Sequence, residues 1–89
     1  MAEASVVRME GALTMRTVAG LVDRTLPDGD CVIDLAGVDE ADSAALALLL
    51  EWLRRLKARG NTLSVTGMPD GLKSLVELYD LGDVLSLAA

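Results

Sequence analysis

The spacing of apolar residues changes along the chain, and each change marks a different predicted element. A compact apolar run at residues 31–35 is rich in β-branched side chains and lies between turn-forming residues, which is typical of a buried central strand. After a short acidic loop come Asp42 and Ser43. Their side-chain oxygens can accept hydrogen bonds from the free N–H groups of a first helical turn. We therefore predict a helix that begins here, with Asp42 as its cap.

The apolar positions of this helix are predicted to form one broad stripe when successive residues are rotated by about 100°. The stripe contains Leu46, Leu49, Leu50, Leu53 and Leu56. Charged residues lie mostly opposite, and Glu51 stands four positions before Arg55, a spacing that stabilises a helix. Gly60-Asn61 ends the helix as a left-handed cap usually does.

The first two turns of the same helix are apolar on nearly every side. Ala44, Ala47 and Leu48 are expected outside the stripe, and Trp52 at its border. A helix that is apolar all round must be covered on both faces, and 89 residues leave little material for a second cover. We therefore expect a partner-binding surface. Its residues are Asp42, Ser43, Ala44, Ala47, Leu48 and Trp52. Alternatively, the alanines are simply good helix formers and Trp52 closes the rim of the core.

Shorter signals predict the other elements. Strands are expected at residues 5–9 and 62–66, helices from Met15 to about Leu26 and from Pro69 to Gly82, and an edge strand or packed segment at residues 84–87. A strand, helix and strand in succession form a right-handed crossover with parallel neighbours. The sequence thus predicts a single α/β domain over residues 1–89, with three helices and a mixed, largely parallel sheet of about four strands. Binding in such sheets usually concentrates in the loops after the strands.

Composition narrows the classes of function. The formal net charge of −6 disfavours nucleic acids and anionic membranes, because both are bound through clustered Lys and Arg. With one Trp, one Tyr and no Phe, the core is expected to be aliphatic. The single Cys31 excludes a disulfide framework. No signal-peptide pattern or bilayer-length apolar stretch occurs, so we expect a cytoplasmic protein.

Residue types that support catalysis are scarce. The chain has no His and no Gly-rich phosphate loop, and Cys31 lies within a strand run. We therefore expect a non-enzymatic protein without a cofactor. Asp39, Glu40 and Asp42 could hold Mg²⁺ or Ca²⁺ through oxygen atoms. Solvated loop charges are the commoner explanation of such a cluster, and no metal site is predicted.

Ser43 has a sharper chemical alternative. A hydroxyl at a helix N-terminus can be phosphorylated, and the phosphate would gain from the free N–H groups and the helix dipole. It would also face the acidic loop and place charge on an apolar docking surface, so phosphorylation should block a partner. The local sequence is equally consistent with an unmodified first-turn residue.

These residues resemble a known family. The stretches Val32-Ile33-Asp34-Leu35, Asp42-Ser43-Ala44-Ala45-Leu46 and Ala47-Leu48-Leu49-Leu50 are similar to the signature of STAS domains, which bacterial anti-sigma factor antagonists share. The resemblance extends to Gly11-Ala12-Leu13-Thr14 and Gly60-Asn61. Two positions depart from the pattern: Ala45 stands where a Gly is common, and Thr14 stands where many members have Asp.

Within the family, Leu78-Tyr79-Asp80-Leu81 and Asp83-Val84-Leu85 resemble the C-terminal part of MlaB-type subunits. These are small cytoplasmic STAS proteins that bind the ATPase of the Mla phospholipid-transport ABC complex. The resemblance implies that Ser43 and the helix behind it touch an ATPase subunit, which would place the protein at the inner membrane. In anti-sigma factor antagonists the matching Ser is phosphorylated by a partner kinase.

Three hypotheses follow. The first is a regulatory subunit of a phospholipid-transport ABC complex, and the alternative is an anti-sigma factor antagonist controlled at Ser43 by an anti-sigma factor kinase. A small hydrolase or nucleotide-binding enzyme is the third, and the missing catalytic residue types disfavour it.

Overall fold

Four strands alternate with three helices along the chain. The strands are β1 (Ser5–Leu13), β2 (Cys31–Ala41), β3 (Leu63–Thr66) and β4 (Ser86–Leu87), and the helices are α1 (Met15–Val18), α2 (Ser43–Ala58) and α3 (Asp70–Leu78). The structure is a computed structural model that describes residues 4–81 and 86–87. It confirms the predicted small α/β fold. The sequence predicts a final strand or packed segment at residues 84–87. Residues 84 and 85 lie outside the described residues.

The strands form one sheet in the order β1-β2-β3-β4. All three pairings between described strands are parallel, which agrees with the predicted largely parallel sheet of about four strands. Because each crossover to a parallel neighbour is right-handed, the three helices share one face of the sheet. Burial agrees with this arrangement: Val7 of β1 is 5% exposed, whereas its neighbour Val6 is 62% exposed. The opposite face of the sheet therefore carries no helix layer among the described elements.

The hydrophobic core lies between the sheet and the helices. The largest fully buried side chains are Trp52, Leu13, Ile33, Leu35, Leu48, Leu49, Leu56, Leu63, Leu72, Val65 and Val76. Among the described residues, no polar or charged side chain is buried. The predicted aliphatic core is present, and its one aromatic member is Trp52. No helix in the described ranges is long and apolar enough to span a bilayer.

Helix α1 is much shorter than the predicted helix from Met15 to about Leu26. It ends at Val18, and the chain continues in turns held by Gly20 N–H to Thr17 O (3.2 Å) and Leu21 N–H to Val18 O (2.9 Å). Gly20 and the β-branched residues before it are poor helix formers, so regular helix is not sustained. The predicted apolar spacing still holds, because Val18 and Leu21 pack against the core.

Candidate docking site at the helix tips

The expected partner surface is wrong at two of its residues. Leu48 is 1% exposed and Trp52 is 0% exposed, and both belong to the hydrophobic core. The cause is the position of α2, which is the middle helix of the layer and contacts α1 on one side and α3 on the other. Apolar side chains on its flanks are therefore covered by the chain itself, in addition to those that face the sheet.

The buried face of α2 is rotated relative to the predicted stripe. Leu46, Leu49, Leu53 and Leu56 are buried as predicted, but Leu50 is only partly buried. The other buried residues of α2, which the predicted stripe does not include, are Ala45, Leu48 and Trp52. The centre of the buried face is rotated about the helix axis by roughly 50° from the centre of the predicted stripe, which is half the rotation between successive residues. What remains exposed at the start of the helix is Ser43 and Ala47, with Ala44 partly buried between them.

Asp42 holds the tips of two helices together. Its Oδ1 accepts a hydrogen bond from Ala44 N–H at 2.8 Å, which confirms the predicted cap of α2. Its Oδ2 accepts a second bond from Met15 N–H at 3.2 Å, in the first turn of α1. Both carboxylate oxygens are therefore occupied by backbone donors. We assign Asp42 to positioning the site, because its polar atoms are already used within the chain.

The α1 tip adds residues that the sequence does not single out. Met15 is 78% exposed, an unusually exposed position for a large apolar side chain. It lines an open groove of about 620 Å³ at the carboxyl end of the strands, where the loops after β1 and β2 meet. The lining residues are Ala12, Thr14, Met15, Arg16, Thr17, Glu40 and Asp42.

We call Met15, Arg16, Ser43, Ala44 and Ala47 the tip surface. The Ser43 side chain is exposed, and within the described residues its hydroxyl makes no hydrogen bond. The tip surface thus combines a long flexible apolar side chain (Met15), a basic side chain (Arg16), two small side chains (Ala44 and Ala47) and the exposed Ser43 hydroxyl. Such a surface suits protein contact better than catalysis.

Sequence signals for Met15 were present but indirect. Thr14 is recognisable as a cap, so the residue after it must lie at a helix tip. Parallel strands bring the tips of successive helices to the same edge of the sheet, which places α1 beside α2. Met15 and Asp42 are 27 residues apart in the sequence, so no local sequence pattern indicates that they are neighbours in the fold.

Charges around the tip surface are mixed. Asp39 and Glu40 are exposed in the segment before α2, and Arg16 lies across the groove from Glu40. Among the described residues, no group of three or more His, Cys, Asp or Glu side chains is placed to hold a metal ion. Cys31 lies far from the tips at the start of β2, and burial raises the pKa of its thiol.

Farther along α2, a compact ion cluster covers the outer side of the helix. Glu51 accepts hydrogen bonds from Arg54 (3.0 and 2.7 Å) and from Arg55 (2.9 Å). These bonds, with Arg54 the larger cause, lower the pKa of Glu51 to about 2. The predicted pairing of Glu51 with Arg55 is present, and Arg54 joins it. The carboxylate is fully engaged and does not face the tip surface.

Solved structures with the same architecture define the class of fold. SpoIIAA, an anti-sigma factor antagonist solved in its unphosphorylated form, matches with a TM-score of 0.70 and 14% identity, over 100% of this chain and 84% of that chain. A candidate anti-sigma factor antagonist from Thermotoga maritima gives a TM-score of 0.78 and 17% identity, over 92% of this chain and 77% of that one. At such identities the likeness shows the fold alone. That fold is the STAS-like α/β domain.

The family follows from sequence. The family model described as Mlab, STAS domain matches residues 1–87, so the chain belongs to the STAS-domain family. The intermembrane phospholipid transport system binding protein MlaB of Escherichia coli is 40% identical over 58 residues, which are 64% of this chain and 60% of that protein. The Shigella flexneri protein of the same name gives the same values. The match spans about 60% of the length of these curated relatives. The family match and the MlaB relatives support a regulatory or interaction role for this STAS domain.

Proposed function

We propose that this protein is a non-enzymatic regulatory subunit that docks through its tip surface on the ATPase of a phospholipid-transport ABC complex. The observation that carries the proposal is the tip surface itself, where Asp42 joins the first turns of α1 and α2 and Met15, Ser43 and Ala47 are exposed. The relatives named for an intermembrane phospholipid transport system supply the class of partner.

The geometry favours a protein partner over a small substrate. The groove beside Met15 is open, and its polar groups are largely committed to capping: Thr14 Oγ1 accepts from Arg16 N–H, and Thr17 Oγ1 donates to Ala12 O. Asp42 is committed in the same way. Small alanines allow a partner's backbone to approach α2 closely, and Met15 can adapt to the contour of an apolar pocket.

A matched pair of substitutions on α2 tests the docking surface. Ala47 and Ala58 are both exposed on the same helix, one near its tip and the other at its end. We expect Ala47→Arg to weaken binding to the ATPase subunit by about tenfold or more, because a bulky charge would lie at the centre of the contact. Ala58→Arg should bind as the natural chain does. The measurement is isothermal titration with the purified ATPase, with circular dichroism to show that both variants fold.

The tip of α1 provides a second test of the same surface. Met15→Glu should weaken ATPase binding and lower the ATPase activity of the assembled transporter, since the exposed apolar side chain would be replaced by a charge. Full-strength binding by both Met15→Glu and Ala47→Arg would refute docking at the tips. Leu48 is not a suitable probe, because its burial makes any charged replacement unfold the chain.

One observation favours a second candidate function, that of an anti-sigma factor antagonist. The Ser43 hydroxyl is exposed at the first position of α2, where a phosphate would meet the positive end of the helix dipole. The solved structures of anti-sigma factor antagonists share the fold. Incubation with an anti-sigma factor kinase and ATP, followed by mass spectrometry, should then add one phosphate to the natural chain and none to Ser43→Ala. An unmodified natural chain would leave the transport role as the better account.

A further inference from the structure

The outer edge of the sheet, along β1, is unpaired in the described structure. β1 stands at the end of the strand order and is nine residues long. Ser5 N–H donates to Asp30 O at 2.9 Å, so Ser5 and every second residue after it direct their backbone groups toward β2. Val6, Arg8 and Glu10 therefore direct their N–H and C=O groups away from the sheet.

Within the described residues, no hydrogen bond reaches these outward groups of Val6, Arg8 and Glu10. Farther along, Ala12 O is already taken by the Thr17 hydroxyl at 2.9 Å, so the open stretch ends near Glu10. Proteins usually protect such edges with charged side chains, above all Lys, or with Pro or a bulge on the edge strand. The charged residues of this edge are Arg8 and Glu10, which have opposite signs. Residues 5–10 contain neither Pro nor Lys. The two register shifts along this pair, between Arg8 and Glu10 and between Gly11 and Ala12, both place the extra residue on β2, so β1 itself carries no inserted residue.

We propose that the β1 edge pairs antiparallel with the β1 edge of a second copy of this chain, in a register centred on Met9. In that register Arg8 of each copy lies opposite Glu10 of the other, twice across the two-fold axis. Centring the pair on Arg8 instead would place two like charges opposite each other, which is destabilising. Centring it on Val7 would leave Glu10 opposite Ala4. Charge complementarity thus selects both the occupant and its register.

The proposed register also satisfies the backbone. Arg8 and Glu10 are the residues whose N–H and C=O groups point outward, so each Arg8–Glu10 pair can exchange two hydrogen bonds, about four in all. Both side chains lie on the bare face of the sheet, where Arg8 already lies 3.5 Å from Asp34. Glu10 of the second copy would join this pair from the other side of Arg8. Exposed ion pairs are weak, so they fix the register while the backbone bonds join the two sheets.

Charge reversal tests the pairing, with sedimentation velocity of the full chain measured over a range of concentrations. The natural chain should form a dimer at high concentration. Arg8→Glu and Glu10→Arg should each raise the dimer dissociation constant by about tenfold or more, since each places two like pairs across the axis. Mixing the two variants should restore a heterodimer, because every pair is then opposite in sign. The double variant R8E/E10R should dimerise like the natural chain.

Two controls separate the pairing from general charge effects. Lys73→Glu on the exposed surface of α3 changes the net charge as Arg8→Glu does, and it should leave the dimer unchanged. Glu10→Arg brings the net charge closer to zero. If this variant fails to dimerise, general charge repulsion between the two copies therefore cannot be the cause. Amide hydrogen exchange of Arg8 and Glu10 should slow as the natural chain is concentrated. A natural chain that stays monomeric, or single variants that dimerise unimpaired, would overturn the proposal. ATPase binding is measured separately, so the two proposals fail independently.

Discussion

The carboxylate of Asp42 accepts hydrogen bonds from the first turns of two helices, and one residue therefore orders both tips. Its role as the cap of α2 can be predicted from sequence, because Asp followed by Ser before an apolar helical pattern is a strong start signal. Its bond to Met15 N–H cannot, since that contact exists only after β1 and β2 have paired in parallel.

We predict that Asp42→Ala lowers the free energy of unfolding by about 1–2 kcal/mol, because the first turns of α1 and α2 each lose a capping acceptor. Urea denaturation followed by circular dichroism measures the loss. Asp39→Ala is the control: Asp39 is exposed in the same segment, and its substitution should change stability by no more than about 0.5 kcal/mol. Equal losses for the two variants would show that capping by Asp42 is not what stabilises the tips.

Burial of Leu48 leads to a second prediction at the residue scale. Leu48→Ala should cost about 2–5 kcal/mol, because it removes a fully buried side chain from the core. Leu78→Ala makes the same chemical change at a side chain that is 73% exposed, and it should cost less than about 0.5 kcal/mol. Denaturant midpoints of the two variants provide the comparison. A small effect at Leu48 would support the surface position that the sequence pattern suggests.

At the scale of elements, the turn after β3 packs so closely against the middle of β2 that only glycine fits there. Gly67 follows β3 with φ of +66°, and a Cβ atom there would lie 2.7 Å from Ala36 N and 2.9 Å from Ala36 Cα. These are backbone atoms, which cannot move aside cheaply. The turn after β3 is thus fixed against the middle of β2, five residues before that strand ends.

Gly67→Ala should therefore destabilise the protein by more than about 1 kcal/mol. Gly71 offers a matched control, because it lies in α3 and an added Cβ atom there meets nothing within 4 Å. Gly71→Ala should stabilise the chain by about 0.4–1 kcal/mol, through a smaller entropy of the unfolded state. Thermal unfolding of both variants tests the prediction, and a neutral Gly67→Ala would mean that the turn after β3 does not contact β2 closely.

The ion cluster on α2 predicts a pH dependence. Hydrogen bonds from Arg54 and Arg55 hold the pKa of Glu51 at about 2 in the folded protein, below the value of about 4.3 for an unperturbed Glu. A lowered folded pKa stabilises the fold above the unfolded pKa, and this stabilisation disappears as the pH falls from about 4.3 through about 2. Because the carboxylate is solvent-exposed, salt screens the effect.

We expect the stability difference between the natural chain and Glu51→Gln to be constant near neutral pH and to vanish over that acidic range. Urea denaturation at a series of pH values measures the difference, and carbon NMR of the Glu51 carboxyl gives its titration midpoint directly. A midpoint near 4.3 would show that the two arginines do not engage Glu51 in solution.

At the scale of the whole molecule, local patterns predict which segments form strands and helices better than they predict where those elements face. The first parts of β1 and β2, the strand β3 and the helix α2 follow from apolar spacing and caps, whereas β1 continues to Leu13 and the segment 38–41, predicted as a loop, belongs to β2. The buried side of α2 depends on its position between α1 and α3. A helical wheel gives no information about neighbouring helices, and for this reason the sequence pattern places Leu48 and Trp52 at the surface. Helix α1 ends early because the residues after Val18 have weak helix propensity, and packing against the core does not by itself keep them in a regular helix.

The spatial order of the strands repeats their order along the chain, so each strand pairs with the one that precedes it. Among the described strands, no pairing requires a strand beyond the next one along the chain. Pairing between consecutive strands keeps the loop-closure cost of folding below that of pairing between distant strands, although each parallel pair still has to close a crossover. As the polypeptide leaves the ribosome, each new crossover unit can add to the layer already formed, and assembly can proceed in one direction from the N-terminus.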